Sequence, residues 1–294
     1  MQEPALSTPR PPRALSSGHL MILGCAVLWS LGGVFVKILR RDYAMDPRAI
    51  ACLRCAAAGL LLAWALPGAV RVPKLRALGS SVAYAVVVFT FVVATAGTTA
   101  ANAIFLQYAY PLFVAVAAVF LFGERLGRRT VLALALGMGG VGKILVCSWE
   151  PGQREGVAYG FASSIAFAAF TLIQRWNREG SPVGLSSLYN LAAAALMLPL
   201  AWGHLGAPLP ALLIVAGMGV FQLGLPYILF IKGLRSVRAT DAALITLVEP
   251  ILNPVWVWLA VAEAPHWSTL VGGSLILVGL LARFVAVGGG RNAS

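Results

Sequence analysis

The sequence predicts an all-α integral membrane protein with ten transmembrane helices arranged as two inverted five-helix repeats. Three observations predict it. Sixty per cent of the residues are hydrophobic and only 11% are charged, where soluble domains carry roughly 25% charged residues. Mean hydropathy is +0.86, which leaves 294 residues too little polar surface to cover a water-soluble fold. The apolar residues gather into ten runs of about 20 residues, the length that crosses roughly 30 Å of hydrocarbon, and one segment of the first half returns in the second.

A Pro- and Ser-rich tail, 1–17, has the composition of a disordered segment. Arg10 and Arg13 ahead of an apolar run imitate a signal peptide. The run at 18–38 is nevertheless long enough to span and no small-residue cleavage site follows, so it reads as a retained first helix. The second span, 47–66, carries Arg54 about one to two turns from its outer end, where it is expected to snorkel outward or pair with Asp46. The third and fourth, 76–96 and 98–122, are separated only by the weak break TAGTTAAN, 95–102.

The fifth span, 129–148, contains LGMGGVGKIL, in which Gly137, Gly139 and Gly142 match a dinucleotide-binding G-x-G-x-x-G and Gly142–Lys143 nearly completes a P-loop. Such a turn needs a preceding strand, whereas TVLALALGMGG is one unbroken apolar helix. Ala133/Gly137 and Ala135/Gly139 read instead as small-xxx-small pairs that let helix backbones approach closely, and GGSLILVG (272–279) has the same character. The remaining spans are 155–175, 182–203, 208–232, 238–261 and 267–287, followed by a tail at 288–294. The repeats are thus 18–148 and 155–287.

The net charge of +12 is explained by topology. With the N-terminus cytoplasmic, fifteen Lys and Arg fall on inner segments and five on outer ones. That asymmetry follows the positive-inside rule with both termini inside, and it removes nucleic acid as a partner. Cys25, Cys52, Cys55 and Cys147 lie in or near apolar spans and are expected to be buried packing residues. No Cys or His cluster suggests a metal.

The internal repeat aligns NAIFLQYAYPLFVAVAAVFLFGE (102–124) with DAALITLVEPILNPVWVWLAVAE (241–263) without a gap. Each segment has a polar residue near its start, a central proline and a terminal glutamate. Because each half holds five spans, the second enters from the opposite side, an arrangement typical of secondary transporters with a midplane site. Together with ILGCAVLWSLGGVFVKIL and the Arg54 helix, YPLFVAVAAVFLFGERL and VEPILNPVWVWLAVAE resemble the drug/metabolite transporter superfamily in its ten-helix EamA-type branch. The resemblance implies a carrier of small organic molecules, often exporting, and within the branch it is nearest to bacterial exporters of aromatic and other amino acids. Ala262 stands where the family's usual Gly precedes the second Glu.

Candidate site residues follow from depth and chemistry. Glu249 is an acid near mid-membrane, where it costs on the order of 3 kcal/mol, so it is read as a substrate or proton site. Pro111 and Pro250 act as hinges, freeing the carbonyls of Gln107 and Thr246, which are proposed to help hold a substrate ammonium. Trp29, Tyr84, Tyr110, Phe170, Gln222 and Tyr227 supply aromatic and amide surface suited to a small-molecule pocket, and Pro226 is expected to break the eighth helix. Asn102 and Asp241 are candidate gates, Asp241 also a helix cap. Glu124 and Glu263 read as loop-holding residues, and Trp256, Trp258 and Trp267 as interfacial belt.

The leading expectation is a secondary transporter that exports amino acids, aromatic or neutral, from a bacterial inner membrane by alternating access. Its partners are a small-molecule substrate, the lipid bilayer and protons, it has no cofactor, and it works as a monomer. The alternatives are a proton-coupled efflux carrier for lipophilic cations and an integral-membrane enzyme. An enzyme would need clustered acids or His with acids, and no such cluster is present in the sequence.

Overall fold

The computed structural model describes residues 16–69, 72–122, 127–174, 180–237 and 239–290. Most of the expected N-terminal tail, the last four residues of the C-terminal tail and Glu124 lie outside them. Apolar sequence without water to receive backbone hydrogen bonds must close those bonds within helices, and the described residues are helical between short connections.

Helices α1 (Ser17–Ser30) and α2 (Gly32–Tyr43) form one apolar stretch hinged at Leu31, longer than the expected 18–38. Helix α3 (Pro47–Leu61) opens on Asp46, which accepts the Arg48 backbone N–H at 2.8 Å. Pro47 occupies the first turn, where a missing N–H is harmless. The Arg48 guanidinium also holds the Asp46 carboxyl below the usual carboxylate range. The second span then bends by 79° into a short 3-10 segment, Ala63–Ala69, around Pro67. The span expected over 47–66 is therefore broken after Leu61.

Helix α4 (Lys74–Gly97) ends at the weak break, and Thr99 caps α5 (Ala100–Tyr108) by accepting the Asn102 N–H at 3.1 Å. Helix α6 (Tyr110–Phe122) continues it. There follow α7 (Arg128–Cys147), α8 (Arg154–Gln174) and α9 (Pro182–Ala201). The eighth span comprises α10 (Leu209–Gly217), a π-helical turn (Met218–Gly224) and α11 (Leu225–Leu234), so the break expected at Pro226 takes the form of that turn. Helices α12 (Ala239–Thr246), α13 (Val248–Val261) and α14 (Trp267–Gly290) complete the chain.

Among the described residues eight helices are long and apolar enough to cross a membrane, the bent second segment makes a ninth if counted whole, and Trp267–Ala282 is a shorter apolar helix.

The packing has an exchange symmetry. Helices α7 and α14 lie along each other, as do α3 and α9. Helix α4 packs on α8 as α11 packs on α1, α5 packs on α8 as α13 packs on α1, and α3 meets the π turn as α9 meets α4.

The α7–α14 seam shows which glycines matter. A Cβ at Gly279 would sit 2.6 Å from the Ala133 carbonyl oxygen, and one at Gly272 would sit 2.8 Å from the Gly140 carbonyl oxygen. Added at Gly139 or Gly142, a Cβ meets nothing. The close face therefore runs through Ala133, Gly137 and Gly140, and the expected Ala135/Gly139 pair points away from it. Overpacking a filled interface costs about 1–3 kcal/mol. Gly279→Val should lower the melting temperature of the purified protein by several degrees, and Gly139→Val should leave it unchanged. Equal melting of the two variants would refute this seam.

Candidate functional site

The two proline-bearing spans break at matching places. Ala109 and Leu247 each donate their N–H three residues back, to Leu106 at 3.1 Å and Leu244 at 3.2 Å, which tightens the turn ahead of Pro111 and Pro250. Tyr110 and Glu249 stand immediately before those prolines. Proline removes the N–H that would bond the carbonyl four residues earlier. At Pro250 that carbonyl belongs to Thr246, and the Tyr108 hydroxyl lies 3.2 Å from it. The same hydroxyl lies 2.6 Å from Glu249 Oε2. A small cavity of about 30 Å³ adjoins this group, lined by Tyr108, Tyr110, Pro111, Thr246 and Leu247 among others. The Thr246 hydroxyl bonds its own helix at Ala243, 2.9 Å away. The Gln107 side chain turns to Ser163 on α8, at 2.9 Å.

A second group is aromatic. Tyr84 lies 5.5 Å from Phe170 and 6.2 Å from Tyr189, centroid to centroid. Phe170 continues to Phe167 at 6.4 Å, and Phe167 stacks on Tyr110 at 4.1 Å. This wall links α4, α6, α8 and α9. The Tyr84 hydroxyl donates to Asn190 Oδ1 at 3.2 Å.

A third group surrounds the hinge at Leu31. Trp29 lies 5.4 Å from Phe230, and Gln222 Nε2 donates to the Trp29 carbonyl at 3.2 Å. Gly32 and Gly33 let two amides lie against the chain: added Cβ atoms would sit 2.9 Å from Gln222 Nε2 and 2.6 Å from Asn253 Oδ1. Tyr227 and Phe230 line a cavity of about 420 Å³ with Pro182, Ile231, Leu234 and Arg235.

The opposite end is tied shut by polar side chains. Lys37 Nζ pairs with Glu263 Oε2 at 2.6 Å and donates to the Thr98 carbonyl at 2.7 Å. Glu263 Oε1 accepts the Ala100 N–H at 2.8 Å. Asn102 is buried in this layer, where its Oδ1 receives the Thr269 hydroxyl at 2.7 Å and its Nδ2 donates to Thr98 Oγ1 at 3.0 Å.

Several expectations need correcting. Arg54 neither snorkels nor pairs with Asp46: it is 3% exposed, and Asp46 holds Arg48 through both carboxylate oxygens at 2.9 Å. Trp256 is not in the belt, since its Nε1 donates to Ser30 Oγ at 2.9 Å, whereas Trp258 and Trp267 are exposed. Asp241 is the third residue of α12, not its cap. Cys147 is exposed, while Cys25, Cys52 and Cys55 are buried. Tyr108, Asn190 and Asn253 were missed. Tyr108 sits one position from Gln107 and Asn253 one turn beyond Glu249, whereas Asn190 had no neighbour that the sequence singled out; Tyr108 and Asn190 find their partners, Glu249 and Tyr84, on other spans.

The chain is similar to known proteins along nearly its whole length. The EamA-like transporter family profile matches twice, at residues 16–146 and 154–284. A protein of Archaeoglobus fulgidus named an uncharacterized transporter is 30% identical over 92% of this chain and 97% of its own length. Another so named, from Clostridium kluyveri, is 23% identical over 92% of this chain and 94% of its own. A solved structure described only as a crystal structure of a protein superposes with a TM-score of 0.64 at 20% identity, covering 93% of this chain and 97% of that one. With broken, paired apolar helices around a partly polar interior and a family profile that spans both halves, this chain belongs to the EamA-like transporter family.

Proposed function

We propose that this chain is a secondary carrier that moves small metabolites, amino acids above all, out of the cell by alternating access. In this reading ten membrane segments form two inverted repeats in a bacterial inner membrane, with both termini cytoplasmic. The observation that carries it is the hydrogen bond between Tyr108 and Glu249, which joins the broken span of one half to that of the other. Two flexible spans meeting at an ionisable group give a site that both halves can rearrange around. The exchange symmetry of the packing supports the same reading, as does a pair of ends that differ. One end is latched by Lys37 and Glu263, and toward the other a cleft runs between α9 and α11. By the charge asymmetry the latched end faces outward.

Trp29, Phe230 and the Tyr84–Phe170–Tyr189 wall favour substrates with an apolar body. The same surfaces beside an acid would also suit lipophilic cations, which is the second reading. Purified protein in liposomes separates the two. Saturable uptake of labelled phenylalanine, tryptophan or leucine, increased by a pH gradient, is the expected result. Uptake of a lipophilic cation such as tetraphenylphosphonium with no amino-acid movement would replace the first reading with the second.

A further inference from the structure

Beyond its first turn, which carries Arg48, helix α3 is apolar except for Arg54, which lies seven residues beyond Pro47, or about 10 Å along the helix axis. A guanidinium stays charged in proteins and offers five N–H donors. Its burial is strongly unfavourable unless a counter-charge or acceptors receive it. Here Arg54 Nε and Nη1 have no hydrogen-bond partner among the described residues. The neighbouring polar groups are the Cys55 thiol, which is in hydrogen-bonding contact with the guanidinium, and Tyr84, neither of them a carboxylate.

The fold partners comparable groups elsewhere. Lys37 has Glu263 and Arg48 has Asp46. Helices α3 and α9 both open on a capping residue and a proline, Asp46–Pro47 and Ser181–Pro182. Arg54 and Tyr189 each stand eight residues past that cap, and the Tyr189 hydroxyl has its acceptor, Gln174 Oε1, at 3.1 Å. Arg54 is the member left open. Gln222 Oε1 and Asn253 Oδ1 are the other buried side-chain atoms without a partner among the described residues, and both are acceptors. Helix α3 touches the π turn that carries Gln222, with Gly219 against the Arg54 carbonyl.

We propose that Arg54 is the anion-recognising residue of the transport site and receives a carboxylate of the transported molecule. The planar fork of a guanidinium matches the two oxygens of a carboxylate. The Tyr84–Phe170–Tyr189 wall lies beside it for the apolar part of the ligand. The inference rests on the carrier reading and narrows its substrates to acids and zwitterions.

The test uses the purified full chain and does not depend on transport. Melting temperature is followed with 3-phenylpropionate, with phenylalanine, and with phenylalaninamide, which lacks the carboxylate. Wild type should be stabilised by the two acids and not by the amide, because a ligand that binds only the folded state raises its stability. Arg54→Gln should lose that response and melt at the same temperature as ligand-free wild type or higher, since it removes an uncompensated charge. Arg54→Lys keeps the charge without the fork, and its response should need about tenfold more acid. Acid-dependent stabilisation that survives in Arg54→Gln would overturn the proposal. So would wild type lacking a preference for acid over amide, or a collapse of the melting temperature in Arg54→Gln, which would assign the guanidinium to packing. If wild type binds the acids through Arg54 while no labelled solute crosses liposomes, this site stands and the carrier reading fails.

Discussion

Glu249→Gln should bind substrate and exchange it down a concentration gradient while losing accumulation driven by a pH gradient, by at least about tenfold. The reason lies in the hydrogen count at Tyr108. Its hydroxyl has one hydrogen and two acceptors in reach, Glu249 Oε2 at 2.6 Å and the Thr246 carbonyl at 3.2 Å. When Glu249 is ionised the shorter, charge-assisted bond takes that hydrogen, and the Thr246 carbonyl, already deprived of an N–H by Pro250, is left open. When Glu249 is protonated its own O–H can donate to the Tyr108 oxygen, and the phenolic hydrogen is free to turn to Thr246. Proton binding at one side chain is thereby converted into the pairing of a backbone carbonyl in the broken span. A glutamine amide can donate through Nε2 or accept through Oε1, but it neither takes up a proton nor carries a charge, so the proposed cycle loses its proton-dependent step and keeps the other. Tyr108→Phe should lose gradient-driven accumulation even with Glu249 in place. The double variant should be no worse than either single one, because residues acting as a unit are not additive. Normal accumulation by Glu249→Gln, or losses that add, would remove this relay.

What was legible in the sequence is what depends on one residue and its own backbone. Pro111 and Pro250 delete a donor wherever they stand, so both breaks could be placed within a few residues, at Ala109 and Leu247. Glu249 was legible because an acid in hydrocarbon is expensive whatever surrounds it. Phase was not legible. Between Val131 and Gly142 helix α7 is apolar all round, so that stretch could not choose between the Gly137–Gly140 face and the Gly139 face. Partners across spans were hidden for the same reason. Tyr108 meets a carboxylate 141 positions away, and Trp256 meets a hydroxyl 226 positions away. One error had a local signal. Asp46 stands before Pro47 and Arg48, a helix cap with a cation two residues on, and that arrangement already commits the carboxylate away from Arg54.

Reversing either charge of the Lys37–Glu263 pair should open the end it closes, and reversing both should close it again. The two side chains are 15% and 25% exposed, so their 2.6 Å contact is only partly screened by solvent. They join three places: Lys37 also reaches the Thr98 carbonyl at the end of α4, and Glu263 also receives the Ala100 N–H at the start of α5. The residue before Glu263 is held at φ 58 and ψ 22, a left-handed conformation for an alanine. That conformation costs roughly 1–2 kcal/mol outside glycine, and the bonds Glu263 makes offset it. Hydrogen bonds to charged groups contribute about 1.5–3 kcal/mol each, so breaking the pair shifts the balance between closed and open states by roughly tenfold to a hundredfold. Asn253 reports the shift: it is 1% exposed, and it packs on Gly33, one turn below Lys37. In a chain whose four cysteines are replaced, Asn253→Cys should resist a membrane-impermeant maleimide. Adding Lys37→Glu or Glu263→Lys should make it react at least about tenfold faster. Adding both restores opposite charges across the same gap and should return most of the protection. Transport should follow the same order, since a carrier that cannot close one end completes fewer cycles. Equal labelling in all four backgrounds would show that closure of this end does not depend on the ion pair.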